Sequence, residues 1–173
     1  MQGTKNQESR AHCFALALHT TTDSLELAIA QLYRLSGSKS PIESGQDVIS
    51  DFIFVKEQSW HLGRDLSTQL HGCLQSFIRE IAWSDIAWLA IASGIGGYTG
   101  TRIGIVTART LAEQLGIPLY AIGCDRISQQ ATQSQPQKSL SYSLLELAHA
   151  QWLIEGQQGI YSHWSAALPL YRE

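Results

Sequence analysis

The chain has no long apolar run, little charge and few cysteines, and each shortage removes a class of protein. No apolar segment approaches the roughly 20 residues that a membrane-spanning helix needs. The polar start, "MQGTKNQESRAH", lacks the apolar stretch of a secretion signal. Cys13, Cys73 and Cys124 lie far apart with no CxxC pair, which predicts reduced thiols packed as small apolar groups rather than disulfides or a metal cluster. Only 16% of the 173 residues are charged, the net charge is −3 and no basic block occurs, so a stand-alone nucleic-acid binder lacks its electrostatic footprint. Neither HExxH nor HxxxH occurs, and no serine sits in a G-x-S-x-G elbow; a zinc protease and a serine hydrolase are both without support. His61 and Asp65, read as one helical turn apart, are too few ligands for a metal. Together these absences predict a soluble, cytoplasmic protein with no metal site.

What is present reads as one domain with 44% hydrophobic residues, enough to bury a sizeable core. Cys13 to Leu18 is a continuously apolar, buried strand, and Leu25, Leu27 and Ile29 alternate as a second. The "HTTTDS" turn between them makes a hairpin. "SGSKSPIESGQD" is a loop and "VISDFIFVKE" a third strand. From Trp60 to Ile81, apolar residues recur every three to four positions, which predicts a helix capped by Ser59. Gly63 and Gly72 would lie inside it at about 1 kcal/mol each, a cost that suggests close backbone packing. "SDIAWLAIAS" is a buried strand, Thr101–Leu115 a helix closed by Gly116, and "IPLYAIG" a fifth strand. Residues 128–143 are polar and low in complexity and read as a linker; a last helix follows from Leu144. Strand pairs followed by helix-separated strands imply a mixed α/β sheet with flanking helices.

Two features carry functional expectations. "SGIGGYTG" places four glycines between a strand and a helix, where free N–H groups and the helix dipole suit an anion. Its spacing matches neither the Walker A loop nor the dinucleotide fingerprint. The candidate anion-binding set is Gly94, Gly96, Gly97, Tyr98, Thr99 and Arg102, with a tight structural turn as the other reading. Gly100, Gly104, Ala108 and Ala112 then give the helix a face almost without side chains, open to close packing by another helix or by the chain's own sheet.

"GGYTGTRIGIVTARTLAEQLGIPLYAI" resembles the GPGSFTGxRxGxxxAxGLA signature of the TsaB family, bacterial proteins of tRNA threonylcarbamoyladenosine (t6A) biosynthesis. "LALHTTTDSLELAI" is similar to that family's opening strand–turn–strand, and "LPLYRE" to its closing segment. The resemblance implies an actin-like ATPase fold in its one-lobe, ribonuclease-H-like form. It also implies a non-catalytic partner that activates TsaD, the transferase, with a TsaE-type ATPase joining the assembly. Contact with tRNA would be indirect, and ATP or ADP could sit near the joint. Pairing, with TsaD or with a second copy, would use helices Trp60–Ile81 and Thr101–Leu115. The implied interface is Leu62, Gly63, Leu66, Leu70, Gly100, Gly104, Ala108 and Ala112.

The chain departs from the pattern at His19, where the resemblance expects an aspartate that manages a metal-bound phosphate in active members of the fold. It also lacks most of the second lobe, so the implied division is a lobe over 12–127, a polar linker over 128–143 and a docking helix and tail over 144–173. Two alternatives stay open: a degenerate nucleotide-binding kinase or ATPase of this fold, and a homodimeric paralogue outside tRNA modification.

Overall fold

The computed structural model describes residues 13–34, 49–94 and 97–168. The loop expected at "SGSKSPIESGQD", the N-terminal twelve residues and the last five lie outside the described residues. Five strands form one sheet: β1 (Cys13–His19), β2 (Ser24–Arg34), β3 (Ile49–His61), β4 (Ile86–Ser93) and β5 (Leu119–Gly123). Their order is β3-β2-β1-β4-β5. β1, β2 and β3 are antiparallel neighbours, while β1, β4 and β5 run parallel. This is the ribonuclease-H-like sheet of actin-like ATPase lobes, as the resemblance implied.

Alternation along the strands gives the sheet two unlike faces. Leu16, Leu18, Leu25, Leu27, Ile29, Leu89 and Ile91 point to one side, where α1 (Leu66–Phe77) and α2 (Tyr98–Leu115) cover them. Ala15, Ala17, Ala28, Ala30, Ala90 and Ala92 point to the other, beneath α3 (Cys124–Gln133) and α4 (Leu140–Gln158). Alanine leaves room for bulk from above. Trp88 fills part of that room, fully buried, edge-on to Tyr120 at 5.7 Å and stacked on His149 at 6.3 Å.

Several element bounds differ from the periodicity. β3 runs on to His61 because Trp60 pairs with Leu25 and His61 with Ser24. The amides of Leu62 and Gly63 then donate to the Asp23 carbonyl at 3.1 and 2.8 Å, and Gly63 turns the chain at φ 49°. Ser59 is therefore in a strand, and α1 begins only at Leu66. Gly72 does lie in α1, but a side chain there would meet nothing within 4 Å; the close packing inferred from it does not occur. His61 and Asp65 flank the turn and do not share a helix.

The expected linker over 128–143 is largely helical. α3 takes Ser128 to Gln133, burying Ile127 and Ala131 four residues apart. α4 starts at Leu140 because the Ser139 hydroxyl accepts the Tyr142 amide at 3.1 Å, satisfying one of the helix's free N–H groups. After Gly159 ends α4 at φ 68°, the chain crosses the outer edge of β5, where the Leu119 amide donates to the Ser162 carbonyl at 3.4 Å. Glu155 secures this crossing by accepting the Ser162 amide and hydroxyl, both at 2.6 Å, and Gln151 at 2.8 Å. Beyond it Trp164 and buried Ala167 join the leucine-face core.

Candidate functional site

The glycine-rich turn lies where the carboxyl ends of β1 and β4 meet the N-terminus of α2. Gly94 adopts φ 114°, and a side chain there would stand 3.5 Å from the Cys124 amide nitrogen. Ile95 and Gly96 lie outside the described residues. The Gly97 amide donates to the Thr21 carbonyl at 2.8 Å, so the turn hangs from the β1–β2 hairpin. The Gly97 carbonyl in turn accepts the Thr101 amide and hydroxyl at 2.9 and 3.0 Å. Of the candidate anion-binding residues, Gly94 is packed against Cys124 and Gly97 is tied to Thr21. Tyr98 opens α2, and Thr99 and Arg102 are exposed on its first turns.

The bare helical face has an internal occupant. A Cβ on Gly100 would lie 2.4 Å from the Thr20 carbonyl oxygen, and one on Gly104 would lie 2.0 Å from Thr20 Oγ1. Ala108 and Ala112 are fully buried in the leucine-face core. The partner-interface set inferred from the sequence is corrected accordingly: Gly100, Gly104, Ala108 and Ala112 seat α2 on its own sheet. Leu66 and Leu70 are buried there too, and Leu62 packs beside them half-buried. Of that set only Gly63 is exposed. The physical reason is that a face without side chains lets the β1–β2 hairpin approach as readily as it lets a foreign helix approach. The residue that fills the gap, Thr20, was legible only as one of three turn threonines.

His19 ends β1 almost completely buried. Burial lowers its pKa from 6.5 to about 4, so the imidazole is neutral at physiological pH. Its Nε2 lies 3.2 Å from Thr21 Oγ1. Cys124 Sγ lies 2.9 Å from the Ser93 carbonyl oxygen and 3.4 Å from Thr21 Oγ1. None of these side chains is a carboxylate, and among the described residues no three His, Cys, Asp or Glu side chains are grouped to hold a metal. Magnesium is bound chiefly through carboxylate and phosphate oxygens. The corner does not fit a metal-held nucleotide phosphate.

A second polar region, unforeseen in the sequence, lies on the alanine face. A cavity of about 600 Å³ is bordered by Glu26 and Glu57 of the sheet and by Lys138, Ser139 and Ser141 at the start of α4. Glu57 accepts the Ser139 hydroxyl, and Glu26 accepts the Ser141 amide at 3.2 Å. Burial raises the Glu26 carboxyl above its ordinary range; the Ser141 amide opposes that rise and the Glu57 charge adds to it. Lys138 is held by Glu146 at 2.5 Å. Both carboxylates thus serve the α4 N-terminus, where negative charge is favoured. Only the sequence-distant pairing of strand and helix reveals this.

The family model described as "TsaD: tRNA N6-adenosine threonylcarbamoyltransferase" matches residues 61–137, from the end of β3 past α3. The tRNA threonylcarbamoyladenosine biosynthesis protein TsaB of Bacillus subtilis (strain 168) is 33% identical over 70 residues. Over that stretch the chain is similar to a TsaB protein. That match takes in 39% of this chain and 31% of the Bacillus TsaB. The solved structure of YeaZ from Pseudomonas aeruginosa superposes with a TM-score of 0.53 at 23% identity, over 72% of this chain and 50% of YeaZ. The chain therefore spans about a third of that TsaB and half of YeaZ, and the YeaZ likeness concerns the fold. No described helix is long and apolar enough to cross a membrane.

Proposed function

We propose that this chain is a non-catalytic accessory subunit in threonylcarbamoyl modification of tRNA, docking on a TsaD-type transferase. The similarity to TsaB supports the process. The observation that carries the accessory role is the outer stripe of α2, the helix at the centre of the matched segment. Thr99, Arg102, Val106, Thr110 and Glu113 recur at three- and four-residue spacing and are all exposed. Val106 is 61% exposed, a large apolar side chain set among polar ones. This stripe, opposite the buried glycine–alanine face, replaces the interface inferred from the sequence.

The test is co-purification of the full chain with its cognate TsaD-type protein. Val106→Asp and Arg102→Glu should each weaken the complex at least tenfold, about 1.4 kcal/mol or more, while the thermal midpoint of the isolated chain stays within a degree or two. Two folded proteins that fail to associate would sink the proposal. ATP hydrolysis by the purified chain alone would favour the kinase or ATPase alternative instead. A concentration-dependent self-dimer broken by Val106→Asp, with no affinity for the transferase, would favour the homodimeric paralogue. Adding the TsaE-type ATPase to the assembled pair tests whether it too joins.

A further inference from the structure

We infer that the corner between β1 and β4 is a closed hydrogen-bonded clasp, built from His19, Thr21, Cys124 and Ser93, which stands in place of a metal-held phosphate site and pins the glycine turn. The inference concerns this chain by itself and holds whichever partner α2 meets.

The first support is the count of hydrogens. A thiol has one hydrogen, and the 2.9 Å contact to the Ser93 carbonyl takes it. The Thr21 hydroxyl is then free to donate to the sulfur, 3.4 Å away. Its oxygen remains available to accept the His19 Nε2–H at 3.2 Å. Each hydrogen is used once, and the chain of bonds joins the ends of β1 and β4 to the start of α3. The unpartnered Nδ1 of His19 is then a lone pair rather than a stranded N–H, the less costly of the two to bury.

The second support is the backbone. Gly94, at a positive φ that favours glycine, lies against Cys124, while Thr21, the middle of the clasp, also holds the Gly97 amide through its carbonyl. Both ends of the glycine turn are thereby fixed to residues of the clasp. A divalent cation entering the corner would meet a thiol and an imidazole N–H whose hydrogens are already given to the Ser93 carbonyl and the Thr21 hydroxyl. None of the clasp side chains is a carboxylate, and among the described residues no three His, Cys, Asp or Glu side chains are grouped to hold such an ion. An aspartate at position 19 would offer oxygens, but it could not donate to Thr21, so clasp and metal site exclude each other.

The experiment uses the full chain. Mn²⁺ titration followed by electron paramagnetic resonance should show no bound ion at millimolar metal, and Mg²⁺ with ATP should leave the thermal midpoint unchanged. Thr21→Val should speed hydrogen exchange at the Gly97 amide about tenfold, the scale of one lost hydrogen bond. It should also speed alkylation of Cys124, read by peptide mass mapping. Thr21→Ser, which keeps the hydroxyl, should restore both. If Thr21→Val does not fold, Cys124→Ala reads the same Gly97 exchange, with the same acceleration expected. Stoichiometric Mn²⁺ binding that His19→Ala abolishes would overturn the inference, and so would unchanged Gly97 exchange in both clasp variants.

Discussion

The two faces of the sheet solve the same burial problem in opposite ways. On the leucine face the strands supply the bulk, and α2 comes close because its own contact side is Gly100, Gly104, Ala108 and Ala112. On the alanine face β1 and β2 supply mostly alanine, and bulk comes from Trp88 and Tyr120 towards the β5 edge and from Leu144 and Leu145 of α4 above. Small residues lie on the helix in one case and on the sheet in the other. The lesson concerns reading small-residue stripes: such a stripe records that something approaches closely, and it leaves open which surface does so. Here it is the Thr20 hairpin.

Four measurements would break or sharpen that comparison. The largest effect is expected at Gly104→Leu, since even its Cβ would lie 2.0 Å from Thr20 Oγ1. Overpacking against a hairpin anchored in the sheet should cost about 4 kcal/mol, read by urea unfolding. A native-like stability would show that α2 is loosely seated. Next is Leu16→Ala, which should cost about 3 kcal/mol by opening a cavity on the leucine face. Its neighbour on the opposite face, Ala17→Leu, should cost about 2 kcal/mol by overpacking under α4. If enlarging Ala17 were neutral, the alanine face would be underfilled and the contrast would fail.

The smallest effect per step is acid sensitivity. His19 has a folded pKa near 4 against 6.5 unfolded, so the unfolded chain binds a proton first as pH falls. The lowered pKa leaves stability untouched above pH 6.5 and removes about 1 kcal/mol per pH unit between 6.5 and 4. His19→Gln should flatten that slope in a chemical-denaturation series over pH; an unchanged slope would place the acid sensitivity elsewhere.

Much of the fold was legible because strand alternation and the α2 signature are local signals. Leu16 and Leu18 against Ala15 and Ala17 can be read directly, as can Gly116 as the end of α2. The start of α1 was not, because the apolar spacing from Leu62 continues unbroken across a strand–helix boundary that depends on Trp60 pairing with Leu25. Residues 128–143 hid most of α3 and the first turn of α4, since two buried residues, Ile127 and Ala131, suffice to hold a helix whose other side is wet. The candidate site was half legible. The glycine turn and the departure at His19 stood out, but Cys124 joined them only after β5 brought it beside Ser93. The small-residue stripe was read as open to a partner because the sequence cannot say which side of α2 the sheet occupies.

The crossing at β5 has a consequence for the order of assembly. Trp164 and Ala167 complete a core whose first members, Leu16 and Leu18, leave the ribosome some 150 residues earlier. During synthesis the leucine face must wait, partly uncovered, until the Glu155–Ser162 fastening has formed and drawn the following residues over the sheet's edge. A nascent chain arrested before residue 160 would thus keep that seam open, a natural foothold for a chaperone, and would shed it once the crossing is made.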